Sequence, residues 1–464
     1  MSVQAAKSTT KNMMTNQLET PLYESLVAKF EIAELQAGYP ELKALRKEAF
    51  DTFKALGFPS IKNEEWKYTN VLPFVKENYE LDVVETALTK EELDKTALLV
   101  SKHSDEIQHS LKGEHKGAYR LVIVNGKINK ELSFLPDSQA LDISSFSDAE
   151  HKASFHKYFG KIAVVKDNAF VALNTALYND GLFIEMKKGM QLDQPLHIIN
   201  VFLSAADVLL QPRHLFIINE QASLEIIETI IAEDSQNAIL VNGVTEIAVA
   251  ENAHFHHYDI QTGRTGMRYI QRTEATQQKN SNYSNYTFTF PGSDFVRNNL
   301  TLHLDAADLE SHLYGLYLSS GAQLIDNHTE VHHKHPRGES NQLYKGVLMD
   351  KSKAVFNGKI YVYQDAQKTN AFQQSNNILF SDKATVNAKP QLEIFADDVK
   401  CSHGTTIGQI NKDALFYLQS RGISEANAKN LMVNAFAFDV TQKVKIPAIR
   451  TYLERMIAGV MEQA

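Results

Sequence analysis

Residues 181 to about 410 break into short apolar pieces separated by small or polar turns, with no long helical pattern between them. The pieces fall at 181–185, 196–202, 214–218, 223–228, 244–249, 254–258, 283–290, 299–304, 310–318 and 354–363. Strand-length runs that recur every ~15–25 residues cannot each bury an apolar face alone; they stack as coils of a β-solenoid or oppose one another in a sandwich. Few Asn-Gly or Asp-Gly hairpin signals interrupt them, which favours the solenoid. The expected fold is therefore mainly β with helical ends. A β-solenoid core spans 181–410, a mainly helical N-terminal region 1–180, and a C-terminal helical region 411–464.

The two ends differ in texture from the middle. Leu22, Leu26 and Phe30, then Leu42, Leu45, Phe50 and Phe53, recur at helical spacing over 18–35 and 40–56. Gly57 and Pro59 stop the second helix. Thr89 and Glu92 form a capping-box pattern that predicts a helix over 89–99. A strand at 119–124 runs into the turn Asn125-Gly126, and 149–178 reads as short helices. Near the C-terminus a helix at 411–419 precedes one capped by Ser424, with Ala428, Leu431, Met432, Ala435 and Phe436 on one face. Pro447 opens the last helix, whose stripe of Ile449, Leu453, Met456, Ile457 and Val460 predicts packing on the solenoid end, the alternative being a partner helix.

Composition narrows the function classes. A formal net charge of −9 argues against a general nucleic-acid or anionic-membrane binder, which relies on clustered Lys and Arg. No run approaches the roughly 20 apolar residues of a membrane span. Met1–Lys11 lacks the apolar core of a secretory signal, so a cytoplasmic location is expected. One cysteine in 464 residues forbids an internal disulfide and cannot by itself hold an iron–sulfur cluster, which normally takes four protein ligands.

That cysteine, Cys401, stands two positions before His403 in Ala396-Asp-Asp-Val-Lys-Cys-Ser-His-Gly-Thr-Thr-Ile-Gly408. On a strand both side chains project to one face, and a thiol beside an imidazole suits iron or zinc. Two ligands do not close a site. Either there is none, and Cys401 is a small buried apolar residue, or another chain completes it.

Other motifs are weaker. In Asp326-Asn-His-Thr-Glu-Val-His-His-Lys-His-Pro336 the histidines His328 and His332 share one face of a strand, and His333 and His335 the other. Four ligands do not converge, so structural or partner-facing histidines are expected there. Neither a phosphate-binding glycine loop nor a G-x-S-x-G elbow occurs. A solenoid enzyme, such as a polysaccharide lyase or a hydrolase, would need carboxylates gathered in a groove, for which Glu393, Asp397 and Asp398 are the candidates.

Several segments resemble the SufB/SufD family of iron–sulfur cluster assembly proteins. They are His328-Thr-Glu-Val-His-His333, Ser340-Asn-Gln-Leu-Tyr-Lys-Gly-Val-Leu348, Phe356-Asn-Gly-Lys-Ile360, Lys389-Pro-Gln-Leu-Glu-Ile394, Ala396-Asp-Asp-Val-Lys-Cys-Ser-His-Gly-Thr-Thr406 and Leu415-Phe-Tyr-Leu-Gln-Ser-Arg-Gly-Ile423. The likeness is dense over roughly 320–440, and Glu64-Glu-Trp-Lys-Tyr-Thr69 extends it to the N-terminal region. Cys401-Ser-His-Gly404 is similar to the SufD branch. Gln374-Ser-Asn-Asn377 lacks the cysteine that the SufB branch carries.

The resemblance implies a right-handed parallel β-helix between helical ends. It implies a non-enzymatic scaffold that pairs with SufB and docks the ATPase SufC through about 411–462, with a homodimer possible alone. A transient iron–sulfur cluster, shared with SufB, would form at their interface and pass to apo iron–sulfur proteins. His403 is then the iron or cluster contact and Cys401 its neighbour. The competing readings are the solenoid enzyme and a purely structural partner in which His403 only packs.

Overall fold

The computed structural model describes residues 20–33, 40–81, 88–111, 118–135, 139–166 and 168–462. The opening stretch searched above for a signal lies outside them. The strands are β1 (Tyr119–Val124), β2 (Lys127–Phe134), β3 (Leu141–Ser145), β4 (Leu182–Met186), β5 (Leu196–Phe202), β6 (Val208–Leu210), β7 (Arg213–Ile218), β8 (Ser223–Ala232), β9 (Ile239–Val249) and β10 (His254–Gln261). They continue as β11 (Met267–Gln277), β12 (Asn282–Thr289), β13 (Phe295–Leu304), β14 (Glu310–Ser319), β15 (Leu324–His333), β16 (Glu339–Leu348), β17 (Lys353–Val362), β18 (Asn370–Leu379), β19 (Thr385–Ile394) and β20 (Lys400–Gln409).

These strands form two ten-stranded sheets. Sheet I runs β2-β1-β5-β8-β10-β12-β14-β16-β18-β20, and sheet II runs β19-β17-β15-β13-β11-β9-β7-β4-β3 with β6 beside β9. Each coil gives one strand to each sheet and pairs in parallel with the next, as a solenoid requires. Partners lie one coil apart in sequence: His254 with Asn282 (28 residues), Glu310 with Glu339 (29) and Glu339 with Asn370 (31). The strands seen in the sequence every ~15–25 residues are thus half-coils. Sheet pairing also reaches back before residue 181, because β1 is parallel to β5 and β3 antiparallel to β4.

One corner of each coil carries a residue in the left-handed region. Gln221, Asn252, Asn280, Asp308, Arg337 and Lys368 have φ between 55° and 61°, and the turn bond Ala253 N–H to Ala250 O recurs as Ser281 N–H to Gln278 O. None of these is glycine, so the repeating corner leaves little mark in the sequence.

Strand alternation sends one set of side chains into the lumen. Leu224, Phe255, Leu302, Leu313, Ile325 and Phe356 pack there fully buried, each worth about 1.5–3 kcal/mol relative to exposure. The outward faces are covered by helices: α1 (Pro21–Ala33), α2 (Pro40–Leu56), α3 (Leu72–Val75), α4 (Lys90–Leu111), α5 (Phe146–Ala149), α6 (Ala153–Tyr158), α7 (Ala169–Leu177), α8 (Lys412–Ser420), α9 (Glu425–Thr441) and α10 (Pro447–Glu462). The N-terminal helices cover sheet II, with Phe50, Phe53 and Phe170 in one cluster with Leu240, Val244, Ile270 and Phe295. A buried ion pair, Arg213 to Glu246, lies within sheet II, and Arg213 also donates to Asn174 and Thr175 of α7. Glu246 also accepts from the backbone N–H groups of Gly160, Ile162 and Ala163.

Three helical expectations need correction. The Thr89 capping box is present, with Glu92 Oε2 2.8 Å from Thr89 N, but α4 continues to Leu111. Val100 and Ile107 are buried, and this packing extends the helix past the point where its sequence turns polar. The stripe of α10 does pack, but on the outer flank of sheet I and not on the solenoid end. Ile449, Leu453 and Ile457 share a cluster with Tyr258, Tyr286, Phe288 and Leu316. On α9 Ala428 is buried as expected, but the rest of the buried face is Val433, Ala437 and Val440, and Leu431 is 53% exposed.

Candidate functional site

The last coil is the one that the helices leave bare. On β18 the odd positions Ala371, Gln373, Ser375 and Asn377 are buried, which marks them as the lumen row. The register Ala371 to Cys401 and Gln373 to His403 carries that row onto β20, so Cys401, His403, Thr405 and Ile407 face the lumen side. Among the described residues no further coil closes over them. Among the described residues no strand pairs with the other edge of β20. The lumen side, the outer side and one edge of β20 therefore all face solvent, and every residue from Ser402 to Gln409 is exposed.

Such an edge presents unpaired N–H and C=O groups and is a template for another strand. Apolar side chains surround it: Phe395 is 60% exposed and Ile407 46%, with Phe372 and Ile394 nearby in the same coil. Further along, Phe416 of α8 is 71% exposed, with Tyr417 beside it and Leu431 and Phe438 on α9.

Cys401 and His403 occupy this coil differently. Cys401 is half-buried and packs at the margin of a cluster of Ile360, Val362, Ala366, Ala371 and Ala396. Burial pushes its thiol above the usual range, partly offset by a backbone hydrogen bond from Ala371. His403 is exposed, and no hydrogen bond to its ring occurs among the described residues. Two residues of strand separate the side chains by roughly 6.5–7 Å. An imidazole and a thiol on one row fit as contacts to different atoms of a cluster and leave the remaining coordination to another chain. Among the described residues no three His, Cys, Asp or Glu side chains gather closely enough to hold a metal ion.

The histidine-rich segment is β15 and its following turn. His328 and His332 point outward from sheet II as the alternation predicts, and His333 points inward. His335 has left the strand, because β15 ends at His333. His328 bridges two carboxylates, with Nε2 2.9 Å from Asp326 and Nδ1 3.3 Å from Glu65. Its hydrogen bond, with the Lys359 ammonium, holds Glu65 down at about 2. His332 stacks between His303 and Tyr361, at ring separations of 5.1 and 4.8 Å. His333 is buried against Ser340, and burial pushes it down to about 3.

Glu65 comes from the Glu64–Thr69 motif, which lies along the outside of sheet II. Glu64 pairs with Lys389, Glu65 with Lys359, and Thr69 donates to Asp326. The carboxylates considered for an enzyme do not meet. Glu393 is outward on β19, and Asp397 and Asp398 lie in the turn into β20.

Sequence reasoning missed Gln373. It is 3% exposed, one coil before His403, and its Oε1 has no hydrogen-bond partner. The signal was available only after the coil length was known, since 403 − 373 = 30 matches the spacing between successive strands.

Fold and site define a helix-flanked parallel β-solenoid whose open final coil bears a His–Cys row. Comparison with known proteins gives that class its family. The core-domain model for SUF system FeS cluster assembly, SufBD, matches residues 201–436, and the SufBD N-terminal region matches 22–101 and 114–198. The chain belongs to the SufBD family and is a SUF-system iron–sulfur cluster assembly protein.

Among its relatives, an iron–sulfur cluster assembly SufBD family protein of Synechocystis sp. is 31% identical over 426 residues, covering 89% of this chain and 90% of the relative. The iron–sulfur cluster assembly proteins SufD of Escherichia coli and Bacillus subtilis are each 27% identical, over 84% and 90% of this chain and 86% and 93% of their own lengths. The likeness to the SufD branch drawn from Cys401-Ser-His-Gly404 agrees with these relatives. No helix among the described residues is long and apolar enough to cross a membrane.

Proposed function

We propose that this chain is a non-catalytic scaffold subunit that pairs with SufB through its last coil, so that a nascent iron–sulfur cluster forms between them with His403 as this chain's contact. One observation carries the reading. His403 stands on an unpaired edge strand at an open solenoid end, where a second chain can add its own strand and its own ligands. Imidazole is a competent ligand in iron–sulfur centres, as Rieske sites show. Cys401, half-buried against the cluster of Ile360, Val362 and Ala371, is a neighbour of the iron–sulfur site. In the absence of SufB the same edge can pair with a second copy of this chain.

The exposed aromatic and aliphatic side chains of α8 and α9 suit docking of the ATPase SufC. Closure of two such ATPase subunits on nucleotide would strain the shared interface and open it, a gate for release to apo-proteins and not chemistry by this chain. Co-expression with SufB and SufC, followed by the mass of the complex and its anaerobic absorption spectrum, tests the proposal. A stable heteromeric complex with a labile iron–sulfur chromophore is expected. A chain that stays apart from both partners, or a complex that never acquires the chromophore, contradicts it.

A further inference from the structure

The lumen row that ends at His403 is a chain of amides. Thr329 Oγ1 lies 2.7 Å from Gln342 Oε1, and Gln373 Nε2 lies 3.1 Å from the same oxygen. Gln342 Oε1 therefore accepts twice, from the Thr329 hydroxyl and from the Gln373 amide. With Nε2 of Gln373 committed downward to Gln342, its other amide atom, Oε1, is left over. That oxygen is buried and has no partner.

A buried, unpaired carbonyl oxygen keeps an uncompensated desolvation cost, so its persistence calls for a reason. The next residue up the row is His403, at the paired position on β20. On the opposite wall Gly358 leaves the Gln373 amide its present room: a Cβ built there would come within 2.3 Å of Gln373 Nε2.

We infer that Gln373 is a positioning residue for His403: its free Oε1 accepts the N–H of one ring nitrogen and thereby turns the other nitrogen outward as the ligand. Imidazoles that bind metals generally donate their second N–H to a carboxylate, carbonyl or water, which fixes both ring orientation and tautomer. His403 has no such acceptor on its exposed sides among the described residues, and the only orphan acceptor next in its row is this one. The ligand is ferrous iron or the iron of a nascent cluster. The inference rests on the reading of His403 above.

The test is anaerobic titration of Fe(II) into the purified complex of this chain with SufB, read by competition with a chromophoric chelator. His403→Ala, Gln373→Met and Gln373→Glu are compared with the wild type. Gln373→Met keeps length and volume and removes the acceptor; it is expected to weaken Fe(II) binding roughly 10-fold or more, the usual effect of losing such a partner. Gln373→Glu keeps an acceptor, and Gln342, whose Nε2 is itself unpartnered, can turn to donate to the introduced carboxylate. It is expected to bind within about threefold of wild type or more tightly.

Gln373→Leu repeats the Met experiment with different packing, so a folding defect in one variant does not leave the inference without a test. If Met and Glu weaken binding equally, the residue only fills space and the inference is overturned. It is also overturned, alone, if His403→Ala abolishes binding and Gln373→Met does not change it. Unchanged binding in His403→Ala overturns the reading of His403 and this inference together.

Discussion

The guanidinium of Arg297 lies 3.7 Å above the ring of Trp66 and is paired with the fully buried Asp326 of the adjacent strand. The only tryptophan of the chain thus caps a buried charge pair on the outside of sheet II. Asp326 is held ionised, below its usual range, by Arg297 first and then by His328 and Thr69, against the cost of burial. The Glu64–Thr69 segment is therefore a strap that ties the N-terminal region to the solenoid.

Removing one partner leaves the other charge buried. Arg297→Met should destabilise the chain by about 3–5 kcal/mol in urea unfolding, because Asp326 loses its counter-ion while remaining dry. A loss below about 1 kcal/mol would mean that water reaches Asp326 and that the strap contributes little.

A second charged cluster lies in the lumen, where burial, and secondarily Glu228, raises Asp259 to about 7. Only one of its oxygens is satisfied, by Gln261 Nε2 at 2.7 Å. The folded chain keeps the Asp259 proton at a pH where the unfolded chain has released it. Stability assigned to this group is therefore present below the unfolded value near 4 and falls as pH rises from there to about 7. Asp259→Asn removes the loss. Its stability relative to wild type should grow between pH 5 and pH 8 by on the order of 2 kcal/mol, read from chemical unfolding at both pH values. Parallel curves for the two proteins would show that Asp259 is solvated.

The exposed apolar rim of the last coil gives a prediction about association. Phe395→Ala and Ile407→Ala should each weaken binding to SufB by about 1–2 kcal/mol, 5–30-fold in Kd, while shifting the chain's own melting temperature very little. Loss of stability without loss of affinity would show that these side chains serve the fold and not an interface.

What the sequence revealed depended on how local the information was. Strand length, alternation and the lack of long helices identified the solenoid, and the i, i+2 spacing put Cys401 and His403 on one face. Alternation could not say which face looks into the lumen, since Cys401-Ser-His-Gly-Thr-Thr406 is polar on both sides. That follows from stacking on β18, thirty residues earlier. Gln373 was hidden for the same reason, as was the second half of α4, whose helicity is imposed by burying Val100 and Ile107. The corner residues Asn252, Asp308 and Lys368 adopt one backbone conformation with three different side chains, so the coil repeat is real in space and faint in sequence.

In the function proposed above, this chain lends an imidazole, and not primarily a thiol, to a cluster held between two proteins. Cluster yield in the complex with SufB and SufC, measured as iron and acid-labile sulfide per complex after anaerobic purification, tests it most directly in His403→Ala and Cys401→Ala. An intact complex is expected in both variants, with yield down about 10-fold or more for His403→Ala and less than about threefold for Cys401→Ala. Full cluster yield in His403→Ala, with the complex assembled, would contradict it.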